Sequence, residues 1–139
     1  MTIYVAARYT EKPRARMVRA TLVNRGFQVS SSWLYASTST HPELSWREWA
    51  EMDLADLRRS DVFVLVEPHL EGGGGRYIEM GYALARRMPV LVWVDVATDS
   101  NDGRFIFYHL PQVTVYRTLP ELVDALAAPA FRLIEGPIA

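Results

Sequence analysis

No cysteine occurs in the 139-residue chain. Disulfides, iron–sulfur clusters and thiolate zinc sites are thereby excluded. Histidine is scarce: His41, His69 and His109 are scattered, and none stands at HxxxH or HExxH spacing. Neither a metal nor a cofactor is expected. The stretch "DSNDG" has the wrong glycine spacing for a calcium loop and no closing glutamate. There is no GxSxG elbow. No apolar run approaches the ~18 residues of a membrane span. The opening "MTIYVAARYTEKPRAR" has neither the apolar core nor the small-residue cleavage site of a signal peptide. A cytoplasmic location without a membrane partner is expected. Neither charge is in excess, with 15 Lys and Arg against 16 Asp and Glu. A nucleic-acid polymer would require a basic surplus, whereas a small anionic ligand needs only a local site.

Half of the residues are hydrophobic and 22% are charged, a globular composition whose length suits one domain over 1–139. "TIYVAA" (2–7) reads as a buried strand. A helix follows from about Glu11 to Arg25, with Thr10 as N-cap, Pro13 in the first turn and Gly26 as the stop. "FQVSS" is a short second strand. "SWRE" is a capping box opening a helix from Ser45 to about Arg59. "DVFVLVE" (61–67) and "PVLVWVD" (89–95) are apolar on both faces, as strands buried between two layers must be. A helix over about 76–87 lies between them. "VTVY" (113–116) and a helix capped by Thr118 and Glu121 close the pattern. Strands alternate with helices over short connections. This predicts a three-layer α/β fold of flavodoxin or Rossmann type, with a five-stranded, mainly parallel sheet in the order 2-1-3-4-5 and helices on both faces. Ligands of such folds bind beyond the C-terminal strand ends, at the switch point.

The residues at that edge carry the chemistry. In "EGGGGRYIEMGYALARRMPV", four glycines feed a helix start, where backbone N–H groups approach an anion closely. Gly73, Gly74 and Gly75 are the candidate contacts, and Arg76 adds a forked donor. The glycines match neither GxxxxGK[ST] nor a clear GxGxxG, so a ligand-free lid is the alternative. A solvated helix end is the alternative for Arg76. Glu79 lies among apolar residues near the positive end of the helix dipole, which predicts an ionised carboxylate suited to a nucleophile. A surface glutamate that only answers the dipole is the alternative. Asp53 shares a helix face with Trp46, Trp49, Ala50 and Leu57, and an acid on an apolar stripe is costly without a partner or a task. Asp56 and Asp61 are neighbouring candidates, with Asp61 the better cap. Trp46, Trp49 and Trp93 read as core, and the arginines of the first helix as its solvated face. Trp33 stands at a ligand-side strand end, where it either stacks on a base or packs.

Several stretches together resemble the nucleoside 2-deoxyribosyltransferase family, in particular its small, phage-type branch: "IYVAARY", "DLADLRRSDVFVLV", "GGRYIEMGYALARRMPVLVW" and "IFYHLPQVTVYRTLPELVDAL". The resemblance covers roughly residues 3–126, and its most specific part is the E-x-G-x-A helix start preceded by an Asp in "DL". It implies that Glu79 is the nucleophile and Asp53 an active-site carboxylate. It also implies cleavage of the N-glycosidic bond of a 2′-deoxynucleoside or its 5′-monophosphate through a glycosyl-glutamate, with the sugar passed to a second base or to water. A homodimer or larger homo-oligomer is implied as well. The glycine loop is similar to that of the deoxynucleoside 5′-monophosphate N-glycosidases, although the serine that they carry there is not evident. Transferases have a further acid where this chain has "HLEGGGG". Arg8 and Tyr9 replace the glycine-bearing first loop of many members and fall where phosphate and base contacts are expected. A non-catalytic nucleotide-binding or sensing module on the same fold is the alternative function.

Overall fold

The computed structural model describes residues 1–67, 74–94, 106–131 and 133. Five strands, β1 (Thr2–Ala6), β2 (Gln28–Val29), β3 (Val62–Val66), β4 (Val90–Trp93) and β5 (Val113–Tyr116), form one sheet in the order β2-β1-β3-β4-β5. Every pairing is parallel. Among the described residues there are four α-helices: α1 (Lys12–Asn24), α2 (Trp46–Arg58) and α3 (Gly75–Ala85) lie between successive strands from β1 to β4, and α4 (Leu119–Ala127) follows β5. The expected three-layer architecture and strand order are both present.

Strand alternation divides the core in two. Ile3, Val5, Val62, Val64 and Leu91 point to one face, where α1 brings Ala15, Val18 and Leu22 and α4 brings Leu122, Val123 and Leu126. Tyr4, Ala6, Phe63, Leu65, Val90 and Val92 point to the other, against Leu57 of α2 and Met80 and Ala83 of α3. Both faces of β3 and β4 are covered, which is why their sequences are unbroken apolar runs. Fully burying a Val or Leu contributes about 1.5–3 kcal/mol, so this double coverage is the main source of cohesion.

Local signals explain most boundaries. Ser45 accepts from the Glu48 N–H at 3.2 Å, and the Glu48 carboxylate accepts from the Ser45 N–H at 3.1 Å, completing the capping box. Thr118 accepts from the Glu121 N–H at the head of α4. Gly26 has φ +89°, the left-handed conformation that ends α1. Thr10 is not the N-cap of α1. Residues Tyr9–Glu11 instead make a 3-10 turn, and Glu11 caps the helix without a side-chain bond. β2 has only two residues because Ser30 and Ser31 take over the pairing with β1: the Ser31 hydroxyl accepts from the Val5 N–H at 2.6 Å. Trp46 is not core; it is 83% exposed. The end of the predicted fourth strand at Asp95 and the "TDSNDG" turn lie outside the described residues, as does the last stretch of the chain apart from residue 133.

Candidate active site

β1 and β3 are neighbours although β2 intervenes in sequence, so the connections leaving their C-terminal ends diverge to opposite faces and leave a crevice. A cleft of about 720 Å³ opens there. Its walls are the turn after β1 (Ala7, Arg8, Tyr9, Thr10), the segment after β2 (Trp33, Ala36, Ser37, Thr38), one side of α2 (Trp46, Trp49, Asp53) and the start of α3 (Gly74, Gly75, Arg76, Glu79). Every described residue expected at the site lines this one cleft. Gly73 lies outside the described residues.

Glu79 sits on the second turn of α3 and accepts a hydrogen bond from the Tyr4 hydroxyl. Tyr4 is fully buried in β1 and stacks on Phe63 of β3, at 5.8 Å between ring centroids. Its burial pushes the phenol far up, with the Glu79 charge adding to the effect, so Tyr4 acts only as a donor. Glu79 is not held ionised by the helix dipole, as its position in sequence suggested. Burial raises it to about 7; the Tyr4 bond opposes the rise and the Asp53 charge adds to it. The dipole acts over the first turn only, and Glu79 is beyond it.

Asp53, on α2, is raised to about 6 by burial and then by the charge of Asp56. Its Oδ1 is buried with no hydrogen-bond partner among the described residues. Asp56 is committed elsewhere: it accepts from the Ser32 N–H at 2.8 Å and from Arg59 at 2.7 Å, tying α2 to the segment after β2. Asp61 accepts from the Thr2 N–H at 2.8 Å and caps the start of β1. Among the described residues the two cleft carboxylates are therefore Asp53 and Glu79. They come from different helices and titrate near neutrality as an interacting pair.

Trp33 donates from Nε1 to the Val5 carbonyl at 2.8 Å, which fixes its ring at the cleft wall. The tryptophan stripe of α2 divides: Leu57 enters the core, while Trp46 and Trp49 line the cleft beside Asp53. Arg8 has no hydrogen-bonding or ion-pair partner for its guanidinium among the described residues, and it lines the same cleft. Gly74 and Gly75 have ordinary negative φ, and a Cβ at either would meet nothing within 4 Å. Packing gives no reason for glycine at these two positions; close approach of a ligand would.

Arg76 was expected to present a free fork. Instead it is only 2% exposed, and its Nε and Nη2 donate to the Glu67 carboxylate at 2.9–3.2 Å. Glu67, immediately after β3, is fully buried and also accepts from the hydroxyls of Tyr77 at 2.7 Å and Tyr108 at 3.2 Å. This cluster joins the end of β3 to the start of α3 and sets the helix that carries Glu79. Tyr4 and Glu67 are the residues that sequence reasoning missed. Their signals are faint: a lone hydroxyl within an apolar strand, and a glutamate ending another, nine residues before an arginine.

No protein-family model matches the chain, and no curated protein matches it in sequence. Among solved structures, it is similar to the CMP N-glycosidase BcmB of Clostridium botulinum, with a TM-score of 0.61 and 18% identity over 91% of this chain and 98% of that one. It is also similar to a conserved protein from Enterococcus faecalis V583, with a TM-score of 0.56 and 14% identity over 89% of this chain and 86% of that one. The chain shares their fold. None of the described helices is long and apolar enough to cross a membrane, and no described His, Asp and Glu group is arranged to hold a metal ion.

Two stability measurements test this geometry. Arg76→Met leaves the Glu67 charge buried and uncompensated, and should cost about 3–5 kcal/mol in urea unfolding; an unchanged midpoint would mean that Arg76 is not structural. For Glu79, the folded protein keeps a proton that the unfolded chain loses between pH 4.5 and about 7, so stability falls as pH rises through that window. The full cost above it is about 3 kcal/mol. Glu79→Gln should therefore be more stable than wild type at pH 8 by up to that amount and nearly equal to it at pH 4.5. Equal stabilities at both pH values would contradict a buried, raised carboxylate.

Proposed function

We propose that the protein is an enzyme of the nucleoside 2-deoxyribosyltransferase type that cleaves the N-glycosidic bond of a 2′-deoxynucleoside or its 5′-monophosphate. The observation that carries the reading is the meeting of Glu79 and Asp53, from two helices, in one cleft at the switch point, with the Tyr4 hydroxyl on Glu79. The fold shared with a CMP N-glycosidase supports it.

The reaction follows from the two carboxyls. A Glu79 oxygen attacks C1′ of the sugar. The C1′–N bond breaks, its electron pair goes to the base, and Asp53 supplies the proton that neutralises the departing nitrogen. The sugar is left as an ester on Glu79, after an oxocarbenium-like transition state that a 2-deoxy sugar reaches readily. Water or a second base then attacks C1′ and releases the Glu79 carboxylate. The attacking water or base gives up a proton to Asp53 as it bonds to C1′. The aromatic wall of Trp33, Trp46 and Tyr9 suits the flat face of a base. Arg8, a cleft cation with no carboxylate partner among the described residues, takes the place at the 5′-phosphate that Arg76 gives up to Glu67. Backbone N–H groups of Gly74 and Gly75 assist it at the head of α3. In keeping with the resemblance, the enzyme works as a homo-oligomer in the cytoplasm.

A panel of deoxynucleosides and their monophosphates, with and without an acceptor base, tests the reading by chromatography of released base. Free base alone identifies a hydrolase, and an exchanged nucleoside a transferase. Glu79→Ala should lower release by about 10³-fold or more while the protein stays folded. Unchanged turnover would overturn the assignment, and binding without any release by wild type would favour a sensing module. The pH profile supplies an independent check. Below about 6 both carboxyls are protonated and the nucleophile is lost; above about 7 both are charged and the proton donor is lost. Between them the pair holds one proton, mostly on Glu79, and the active form is the minority one with the proton on Asp53; kcat/KM should still peak between these values. Asp53→Asn should remove the alkaline limb and leave a single acid limb governed by Glu79. A wild-type profile flat from pH 5 to 8 would refute the one-proton pair.

A further inference from the structure

We infer that the cleft admits nucleotides carrying phosphates beyond the first, and that the exposed face of α1 receives those phosphates. The inference rests on the nucleotide reading of the cleft. Lys12, Arg16 and Arg19 recur at i, i+4 and i+7, so they share one face of α1. Arg8, at the cleft wall, precedes the 3-10 turn Tyr9–Glu11 that leads into α1. None of the four pairs with a carboxylate among the described residues; the ion pairs of the surface involve other cations.

Helix α1, "KPRARMVRATLVN", contains no acidic residue, although the chain as a whole carries a net charge of −1. A helix that is merely solvated usually mixes signs and gains from i, i+4 pairs. Here like charges are gathered instead: the Lys12 ammonium is held below its ordinary value by partial burial and by the Arg16 charge. Such crowding is unfavourable in the empty protein and is relieved by an anion.

The strip is also held in place and joined to the cleft. Lys12 donates to the Ala36 carbonyl at 3.2 Å and lies over the rings of Tyr9 and Trp33, at 4.9 and 5.8 Å from their centroids. Both rings line the cleft. Arg16 donates from Nε to the Leu34 carbonyl at 2.6 Å, and the Arg16 and Arg19 guanidiniums lie 5.2 and 4.9 Å from the Tyr35 ring. Along the helix Lys12 and Arg16 are about 6 Å apart in rise, and Arg16 and Arg19 about 4.5 Å. With the first phosphate at Arg8, the anionic chain that follows meets Lys12 first and Arg16 and Arg19 further along. A polyphosphate and a phosphodiester-linked second nucleotide present the same chemistry to this strip.

The test uses Glu79→Gln protein, which holds substrate without turnover. It is titrated with one deoxynucleoside's mono-, di- and triphosphate and with a dinucleotide, at about 50 and about 200 mM salt. The triphosphate, the dinucleotide or both should bind about tenfold or more tightly than the monophosphate at the lower salt, with a steeper loss at the higher. Which of them does so identifies the source of the extra phosphate. Arg16→Gln/Arg19→Gln should abolish that gain and leave monophosphate affinity within about twofold; Arg16→Lys/Arg19→Lys should retain most of it. Equal affinities across the series, or a gain that survives the glutamine pair, would overturn the inference. Base release by wild type is scored separately. Release from a monophosphate with no polyphosphate preference sinks the strip alone; a strip-dependent preference with no release sinks the reaction alone.

Discussion

The start of α3 is fastened to the end of β3 by a buried ion pair, and the rest of the site depends on that join. Glu67 and Arg76 are both almost wholly withdrawn from water, a costly arrangement that holds only because every exposed lone pair or proton finds a partner. The bidentate contact fixes Arg76 in the first turn of α3, and the phenols of Tyr77 and Tyr108 take up remaining capacity of the carboxylate. Burial pushes both phenols upward, with Glu67 reinforcing the shift, so they remain donors over the whole physiological range. A charged pair at this point does what an apolar contact would not: it specifies one rotation of α3, and hence where Glu79 points.

From that rotation follows the electrical character of the cleft. On one side stand two carboxyls whose burial makes ionisation difficult. On the other stands an arginine with no counter-ion among the described residues, leading to a helix face of like charge. On the proposed reading, the reacting centre of a nucleotide would lie between the cation at one end of the cleft and the carboxyls at the other. The chain achieves it with a near-zero net charge because the asymmetry is local.

Much of this was legible beforehand. The doubly apolar runs of β3 and β4 announced a parallel sheet covered on both faces, and the serine and threonine caps placed α2 and α4 to within a residue. Asp53 and Glu79 were legible as polar intruders among apolar neighbours. What was not legible concerns partners and burial. Arg76 looked free because nothing in its neighbourhood shows that Glu67 turns to meet it across a strand–helix connection. Trp46 looked buried because helical periodicity puts it in line with Leu57, yet the upper half of that stripe faces a cleft and not the sheet. The charge state of Glu79 was misjudged for the same reason: a dipole can be counted from a helix start, whereas desolvation depends on what packs around the carboxyl.

The Tyr4 bond makes the two oxygens of Glu79 inequivalent. Oε2 is held by a fixed phenol, so negative charge gathers there, and Oε1 is the atom left to react. On the proposed reading the ester then forms through Oε1, and Oε2 becomes its carbonyl oxygen, still facing the same hydroxyl. As the sugar leaves, charge returns to Oε2 and the hydrogen bond strengthens with it. One buried tyrosine would thus act more strongly on the departure of the glutamate than on its attack, and so favour turnover over a stalled covalent intermediate.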